Sequence, residues 1–254
     1  MGFKVIIPAR MRSTRLPGKM LADIGGKPLV AWVAQRARES GADEVIIATD
    51  DERIAAAVRA LGWKACMTSP AHETGTDRLA EAAGLLGLAP GEIVVNVQGD
   101  EPLIDPALVR AVAEELARHS EASIATAAHP ITAPEAFFDP NVVKVVLDTS
   151  GHALYFSRAP IPYARDAFAA SRGALPAGLP AYRHIGIYAY RAAYLARYST
   201  LTPTDTERFE ALEQLRALAH GHRIAVALWN GPLEAGVDTA EDLDRVRRRL
   251  APGG

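Results

Sequence analysis

Residues 3–19, with the sequence FKVIIPARMRSTRLPGK, join a short apolar run to a loop rich in positive charge. Residues 3–8 are almost continuously apolar, as expected for a strand buried on both faces of a parallel sheet. Four cations follow within ten residues: Arg10, Arg12, Arg15 and Lys19. Ligands of open α/β sheets bind outside the carboxyl ends of the strands, so the loop predicts a phosphate site. The alternative is a solvated basic loop.

The order of strands and helices predicts an α/β fold. Apolar strand-like runs alternate with helical periodicity through the first 150 residues, which indicates a parallel sheet with helices on both faces. Strand-like segments then follow one another at 123–127, 142–147, 153–156 and 183–190, which predicts a mixed extension of the sheet. We expect one domain over residues 1–254, in two parts that meet at about residue 120.

Two later segments carry specific predictions. Residues 167–181 are rich in Pro, Gly and Ala, which predicts a mobile surface loop. Residues 206–220 have helical periodicity, with Thr204 and Glu207 spaced as a capping box and Gly221 as terminator. A last helix is expected to begin after Thr239.

Composition limits the classes of partner. The net charge of −2 and the pI near 6.4 give no global electrostatic case for nucleic acid or an anionic membrane. Cys66 is the single cysteine, which excludes an intrachain disulfide and predicts a buried, inert thiol. No signal peptide and no apolar run of membrane-spanning length is apparent, so we expect a cytoplasmic location.

Carboxylates follow two further apolar runs. Asp100 and Glu101 come directly after the strand-like residues 92–97, and Asp100 is predicted to bind Mg²⁺ with substrate phosphate oxygens. Glu101 is interpreted as structural, near the start of the next helix. Asp238 has the same setting, but spacing alone favours a helix cap over a metal ligand there.

Two more segments could contact a ligand. Residues 73–78 open a helix with hydroxyls and amides, which suits either an anion or plain capping. In the strand-like residues 182–188, His184 and Tyr188 share one face, which indicates either a polar ligand or structural packing. Arg158 could clamp a carboxylate or pair with a structural Asp.

These segments together resemble the 3-deoxy-manno-octulosonate (Kdo) cytidylyltransferase family of bacterial lipopolysaccharide assembly. The matching blocks lie, in order, at residues 7–19, 95–102, 153–158, 184–188, 212–216 and 236–239. The resemblance implies a Rossmann-like nucleotide-diphospho-sugar transferase fold, a homodimer, and transfer of CMP from CTP to Kdo with release of pyrophosphate. It also implies Mg²⁺ bound by Asp100 and Asp238. Residues 1–120 are then the nucleotide-binding part, and residues 121–254 the sugar-binding and dimerisation part.

The resemblance assigns roles to individual residues. Those expected to act in catalysis are Arg10, Arg15, Lys19 and Asp100. Those expected at the nucleotide are Ala9, Arg10, Ser13, Arg15, Lys19, Thr74, Gly75, Arg78 and Gln98. Those expected at the sugar are Gln98, Arg158, His184, Tyr188 and Glu213.

The chain departs from the family pattern at Met11-Arg12, at Met20 and at residues 204–207. The last departure leaves open another acidic sugar, such as 8-amino-Kdo or sialic acid. Two further alternatives are a glycosyltransferase of similar fold, which would release no pyrophosphate, and a nucleotide-binding regulator, which would turn nothing over.

Overall fold

A computed structural model describes residues 2–13, 15–72 and 74–250, so Thr14 and Glu73 of the predicted site segments lie outside the described residues. The strands are β1 Lys4–Ala9, β2 Asp23–Ile24, β3 Lys27–Pro28, β4 Glu44–Thr49, β5 Lys64–Met67, β6 Ile93–Asn96, β7 Ile124–Pro130, β8 Lys144–Leu147, β9 Ala153–Ser157, β10 Tyr182–Arg191 and β11 Ile224–Leu228. The helices are α1 Leu29–Glu39, α2 Glu52–Ala60, α3 Gly75–Leu85, α4 Pro106–Arg118, α5 Pro134–Phe138, α6 Arg165–Ala170, α7 Ala192–Tyr198, α8 Asp205–Glu210, α9 Gln214–Ala219 and α10 Ala240–Leu250. A short 3₁₀ turn spans Lys19–Leu21.

Within the described residues, seven strands form a path in the order β11-β7-β10-β6-β1-β4-β5, and β8 and β9 branch from β10. The strands β6, β1, β4 and β5 are mutually parallel, while β10 runs antiparallel to both of its neighbours in the path. The predicted α/β sheet with a mixed extension is therefore confirmed. Because β7 is parallel to β6 in direction, its carboxyl end lies at the same edge as that of β1.

Side-chain alternation along β1 explains the two layers of helices. Val5 and Ile7 are buried in one core with α1, α2, α4 and α10. Ile6 points to the other face and is buried in a second core with α3, α7 and α9. A strand whose successive residues face opposite sides must be apolar throughout when both faces are covered. This is why the continuous run at residues 3–8 predicted the centre of the sheet correctly.

The segment at residues 167–181, predicted as a mobile surface loop, lies outside helices and strands from residue 171 onward, but the prediction was wrong at its start. Residues 165–170 form α6, and Phe168 is buried beside Ile131, Phe137 and Ala181 in a third apolar cluster. Phe168 also packs at 5.7 Å, ring centre to ring centre, from Phe137. One apolar residue in a Pro/Gly/Ala-rich stretch gives no periodicity, so only tertiary contacts order it.

The predicted single helix at 206–220 is also wrong, because the chain forms α8 and α9 with a break between them. Ala211 adopts the left-handed conformation at φ 51°, which ends α8. The predicted capping box of Thr204 and Glu207 is present at the start of α8. Glu207 then pairs with Arg216 of α9, and this ion pair holds the two short helices together.

Two smaller expectations have different outcomes. Cys66 is only partly buried, since β5 lies at the end of the sheet, although burial still raises the pKa of its thiol. None of the described helices combines the length and apolar character needed to cross a membrane.

Candidate active site

A wide cleft, here called the basic cleft, opens where β1 and β6 end and the loop after β1 folds over them. Its volume is about 1150 Å³. All nine residues predicted at the nucleotide line it, as do Asp100 and Asp238. The structure therefore brings together segments from residues 8–20, 72–78, 98–100 and 238 at the carboxyl end of the sheet, where α/β folds bind ligands.

Lys19 holds the two predicted metal aspartates together. Its Nζ lies 2.5 Å from Oδ2 of Asp100, 3.1 Å from Oδ1 of Asp238 and 2.9 Å from the carbonyl oxygen of Val237. The side chain of Lys19 is only 9% exposed, so its charge is stabilised by these oxygens rather than by water. Arg15 adds a contact of 2.9 Å to Oδ2 of Asp238 from the exposed side.

Backbone contacts fix the spacing of the two aspartates. The N–H of Val237 donates to the carbonyl of Asp100 at 2.8 Å. A Cβ at Gly236 would lie 3.2 Å from that carbonyl oxygen, and a Cβ at Gly99 would lie 2.8 Å from the carbonyl oxygen of Pro8. Glycine is required at residue 99 because a backbone atom, which cannot move aside, fills the space.

The helix caps near these carboxylates are other residues. Thr239 accepts from the N–H of Asp242 at the start of α10, so Asp238 is free to face Lys19. Spacing alone therefore misjudged Asp238 as a cap. Asp105 caps α4 by accepting from Ala107, and Glu101 is left as a half-buried carboxyl whose pKa burial and the Asp100 charge raise to about 7.

The remaining cleft residues differ in how free they are. Arg10 and Arg12 are exposed at the mouth, where they can meet an anion. Arg78 is buried, and its guanidinium donates to Thr68 at 2.5 Å and Asp50 at 3.0 Å. Arg78 therefore shapes the wall of the cleft. Thr74 caps α3 through the N–H of Asp77, so its hydroxyl is also engaged.

A second, smaller cavity of about 290 Å³, here called the inner cavity, adjoins the basic cleft. Gly75 and Gln98 line both spaces. The predicted sugar residues Gln98, His184, Tyr188 and Glu213 all line the inner cavity. It is built between β6, β10, α7 and the break that separates α8 from α9.

Stacked aromatic rings form one wall of the inner cavity. Tyr188 and Tyr190 stack with ring centres 5.8 Å apart, and Tyr190 and Tyr194 stack at 5.9 Å with an interplanar angle of 5°. Tyr198 continues the row at 6.2 Å from Tyr194. Burial raises the pKa of the hydroxyls of Tyr188, Tyr190, Tyr194 and Tyr198, so these side chains stay neutral. The wall is rigid, uncharged and able to donate hydrogen bonds.

Two buried polar atoms of the inner cavity lack partners among the described residues. They are Oδ1 of Asn96, an acceptor, and Nε2 of Gln214, a donor. Buried polar atoms are nearly always hydrogen-bonded, and leaving one unpaired costs about 1–3 kcal/mol. Sequence reasoning missed both residues, although a polar Asn96 within the apolar run 93–97 was a usable signal.

The hydrogen bonds of Thr126 assign the tautomer of His184. The buried Thr126 hydroxyl lies 2.7 Å from the carbonyl oxygen of Ile187 and 2.9 Å from Nε2 of His184. A hydroxyl has one proton, which goes to the carbonyl, so its oxygen accepts from Nε2–H. Burial lowers the pKa of His184 to about 3, and the neutral ring therefore keeps its lone pair on Nδ1.

Glu213 lies at the start of α9, where Thr76 donates to its Oε2 at 3.1 Å. Burial of the carboxyl raises its pKa, with the nearby Asp77 adding to the effect. None of the described residues that line the inner cavity is Lys or Arg. The cavity is therefore polar but not cationic.

Arg158 does not reach the inner cavity in this structure. Its Nε donates to the carbonyl of Glu210 at 2.6 Å and its Nη1 to that of Pro140 at 3.0 Å. In this structure Arg158 bridges β9 to the end of α8, and its expected contact with the sugar stays a prediction. Residues 204–207 also lie outside the cavity lining, so the departure from the family pattern there does not alter its wall.

Comparisons with known proteins agree with this arrangement. The family described as Cytidylyltransferase matches residues 4–224. A 3-deoxy-manno-octulosonate cytidylyltransferase of Vibrio vulnificus is 57% identical over 99% of both chains. A solved structure of a CMP:2-keto-3-deoxy-manno-octonic acid synthetase complexed with CTP is 42% identical, with a TM-score of 0.87 over 99% of both chains.

A solved cytidylyltransferase of Leptospira borgpetersenii, 17% identical, has a TM-score of 0.59 over 97% of this chain and 85% of its own, which supports the fold alone. The 57% identity to the Vibrio protein over nearly the full length of both chains, together with the match to the family, decides the assignment. This chain belongs to the 3-deoxy-manno-octulosonate cytidylyltransferase family.

Proposed function

We propose that this chain transfers the CMP group of CTP to Kdo and releases pyrophosphate. The observation that carries the proposal is the junction of two unlike spaces at Gln98 and Gly75. The basic cleft suits a triphosphate, and the inner cavity suits a neutral polyhydroxyl surface. A nucleotide in one and a sugar acid in the other would meet at their shared wall.

The inner cavity supports a sugar acceptor in two ways. Asn96 and Gln214 offer one unpaired acceptor and one unpaired donor, and His184 offers Nδ1 as a further acceptor. Sugar hydroxyls can donate and accept at these atoms. Because Glu213 lies in this cavity and no described lining residue is cationic, the carboxylate of an acidic sugar would turn toward Gln98 and the basic cleft.

The chemistry needs positioning and charge neutralisation more than covalent catalysis. The sugar hydroxyl attacks the α-phosphorus of CTP in line, and the pyrophosphate leaves toward the loop after β1. Arg10 and Arg15 would stabilise the charge that develops on the phosphorus and on the leaving group. Lys19, held by the carboxylates of Asp100 and Asp238, would orient the loop that carries both arginines.

Asp100 and Asp238 fit the proposed Mg²⁺. Three oxygens, two of them carboxylate and one carbonyl, already converge on the cationic Nζ of Lys19, so this corner of the cleft accepts positive charge. An all-oxygen donor set with two carboxylates is what Mg²⁺ prefers. When bound, Mg²⁺ supplies charge neutralisation at phosphate and lowers the pKa of the attacking hydroxyl.

Other acidic sugars remain the second candidate, since the unpaired atoms of the inner cavity specify hydroxyl chemistry and not one sugar. A place in lipopolysaccharide assembly, a cytoplasmic location and a homodimer, all implied by the family resemblance, are part of the proposal. Light scattering on the purified chain tests the homodimer.

The deciding experiment measures pyrophosphate release with CTP and Mg²⁺ in the presence of Kdo, 8-amino-Kdo, sialic acid or no acceptor. We expect release with Kdo and none without an acceptor. Release only with another acid would reassign the sugar. CTP binding without release for any acceptor would refute the proposed function and favour the regulator.

A further inference from the structure

A cluster of histidines and carboxylates lies at the edge of the sheet opposite the basic cleft. His119 follows the last residue of α4, Glu121 lies in the loop before β7, and His152 directly precedes β9. The amino end of β7 is at the far edge because β7 runs in the same direction as β1 and β6. None of these residues takes part in the proposed transfer reaction.

Three candidate metal-ligand atoms converge there. Oε1 of Glu121 lies 2.9 Å from Nε2 of His152 and 3.3 Å from Nδ1 of His119. One ligand atom from each residue can be chosen so that all lie within 4.8 Å of one another. The two imidazole rings meet edge to face at 4.8 Å between centres, so both present ring nitrogens to the same space.

His152 supplies the observation that points to a ligand. The residue is only 4% exposed, yet neither of its ring nitrogens has a partner in hydrogen-bonding geometry among the described residues. A neutral imidazole always has one N–H to donate and one lone pair to offer. Nε2 lies 2.9 Å from Oε1 of Glu121 but outside hydrogen-bonding geometry, so a group bound between the two would complete the site.

Each histidine also has a second carboxylate near its other nitrogen. Oε1 of Glu115 lies 3.1 Å from Nε2 of His119, and Oδ2 of Asp148 lies 3.7 Å from Nδ1 of His152. Metal-bound histidines almost always donate their other N–H to a carboxylate, carbonyl or water, which fixes the tautomer and makes the ligand nitrogen more basic. Glu115 therefore has the position of an outer carboxylate for His119, whereas Asp148 lies near His152 but beyond hydrogen-bonding distance.

We propose that His119, Glu121 and His152 form a binding site for a divalent transition-metal ion of the Zn²⁺ class. Two imidazoles and one carboxylate suit such an ion, with a water in a fourth position. Oxygen-only ions such as Mg²⁺ are disfavoured by the two nitrogens. The bound ion would tie the end of α4 to the turn before β9.

The backbone around the cluster is already held in place, which favours a preformed site. Arg191 donates to the carbonyls of Leu116, His119 and Ala122, and the carbonyl of Gly151 accepts from Val226 of β11. Only side-chain rotations separate the three ligand atoms from the spacing of a bound ion, because Zn–N and Zn–O bonds are about 2.0–2.2 Å. The ion would add stability that grows with the logarithm of its free concentration once that concentration exceeds Kd.

The test is calorimetric titration of the metal-free, full-length protein with Zn²⁺ alone. We expect one equivalent bound by the wild-type chain and by the Asp238→Asn variant, whose change lies at the other edge of the sheet. Glu121→Gln and His119→Gln should each abolish that equivalent, and Glu115→Gln should weaken it about 10–100-fold. The matched control His220→Gln, an exposed histidine at the end of α9, should bind as the wild type does.

Two further measurements separate a metal site from a simple ion-pair network. Co²⁺ in place of Zn²⁺ should give the strong visible absorption of a tetrahedral site in the wild type and not in Glu121→Gln. Zn²⁺ should raise the melting temperature of the wild type and leave that of Glu121→Gln unchanged. Pyrophosphate release should be the same in the wild type and in Glu121→Gln. Absence of the Zn²⁺ equivalent in the wild type, or its persistence in both Glu121→Gln and His119→Gln, would overturn the proposal.

Discussion

The basic cleft and the inner cavity differ in how their polar groups are satisfied. In the basic cleft, charges are paired within the protein, as Lys19 with Asp100 and Asp238 shows. In the inner cavity, Asn96 and Gln214 leave polar atoms without partners. A ligand must therefore compete with internal ion pairs in the first space, whereas it completes a deficit in the second.

This difference predicts different responses to substitution. Removal of a charge from the cleft should lower turnover, because the charge acts on the reacting phosphate. Removal of a polar atom from the cavity should weaken sugar binding and leave the nucleotide step intact. Four predictions follow, two on kinetics and then two on stability, with the larger expected effect first in each pair.

Asp100→Asn should lower kcat by about 10³-fold, because it removes one of the two carboxylates proposed to hold Mg²⁺, whose neutralisation of phosphate charge is worth several kcal/mol in the transition state. The fold should persist, since Lys19 keeps Asp238 and the carbonyl of Val237. Steady-state pyrophosphate release and circular dichroism measure the two effects. The control is Asp244→Asn on the surface of α10. Turnover near that of the wild type would contradict the metal assignment.

Gln214→Met should raise KM for the sugar acid about tenfold while KM for CTP stays unchanged, because one hydrogen bond to the sugar is lost. Stability should not fall, since the donor has no partner in the free protein. Kinetics with each substrate varied and a thermal melt give the comparison. The control is Gln35→Met on the exposed face of α1. An equal rise in KM for CTP would show that the two spaces are not separate.

His184→Gln should make the protein less sensitive to acid. The pKa of His184 is about 3 in the folded state, below its unfolded value near 6.5. The unfolded chain therefore takes up the proton first, and stability is lost as the pH falls from about 6.5 toward 3. The lost stability is about 2 kcal/mol at pH 5, because the unfolded chain binds the proton about 1.5 pH units below its pKa.

Urea unfolding at pH 7.5 and pH 5 measures this effect as a smaller difference in the free energy of unfolding for the variant. His220→Gln is the control, because it is an exposed histidine. An acid sensitivity equal to that of the wild type would show that His184 is protonated in the folded protein.

Ala211→Gly should change stability by only a few tenths of a kcal/mol, or raise it, because glycine adopts the left-handed conformation without strain. The same change at Ala56, exposed within α2, should cost about 1 kcal/mol. Thermal melts of the two variants compare the sites directly. Equal losses at both positions would mean that the break before α9 is not as the structure has it.

Much of the fold and of the basic cleft could be predicted from the sequence, because local patterns specify them. The apolar run before Arg10 sets the central strand, and Lys19 and Asp100 each follow a strand end closely along the chain. Strand ends of a parallel sheet share one edge, so residues far apart in sequence meet there without further information. The capping box at Thr204 is equally local.

The rest depended on contacts that periodicity does not encode. The helix break at Ala211, the burial of Phe168 and the bridge made by Arg158 each arise from packing between distant segments. The unpaired atoms of Asn96 and Gln214 could not be predicted either, since a polar residue is unpaired only relative to its neighbours in space.

The sequence by itself thus determined the α/β order, the charge of the cleft and the residues at its rim, since these follow from apolar periodicity and from residue chemistry at strand ends. Only the tertiary structure decided how Lys19 bridges Asp100 and Asp238, which polar atoms await a ligand, and that His119, Glu121 and His152 meet. The physical reason is the separation along the chain over which each effect acts. Periodicity acts over a few residues, whereas hydrogen-bond satisfaction and electrostatic pairing are settled across the whole folded chain.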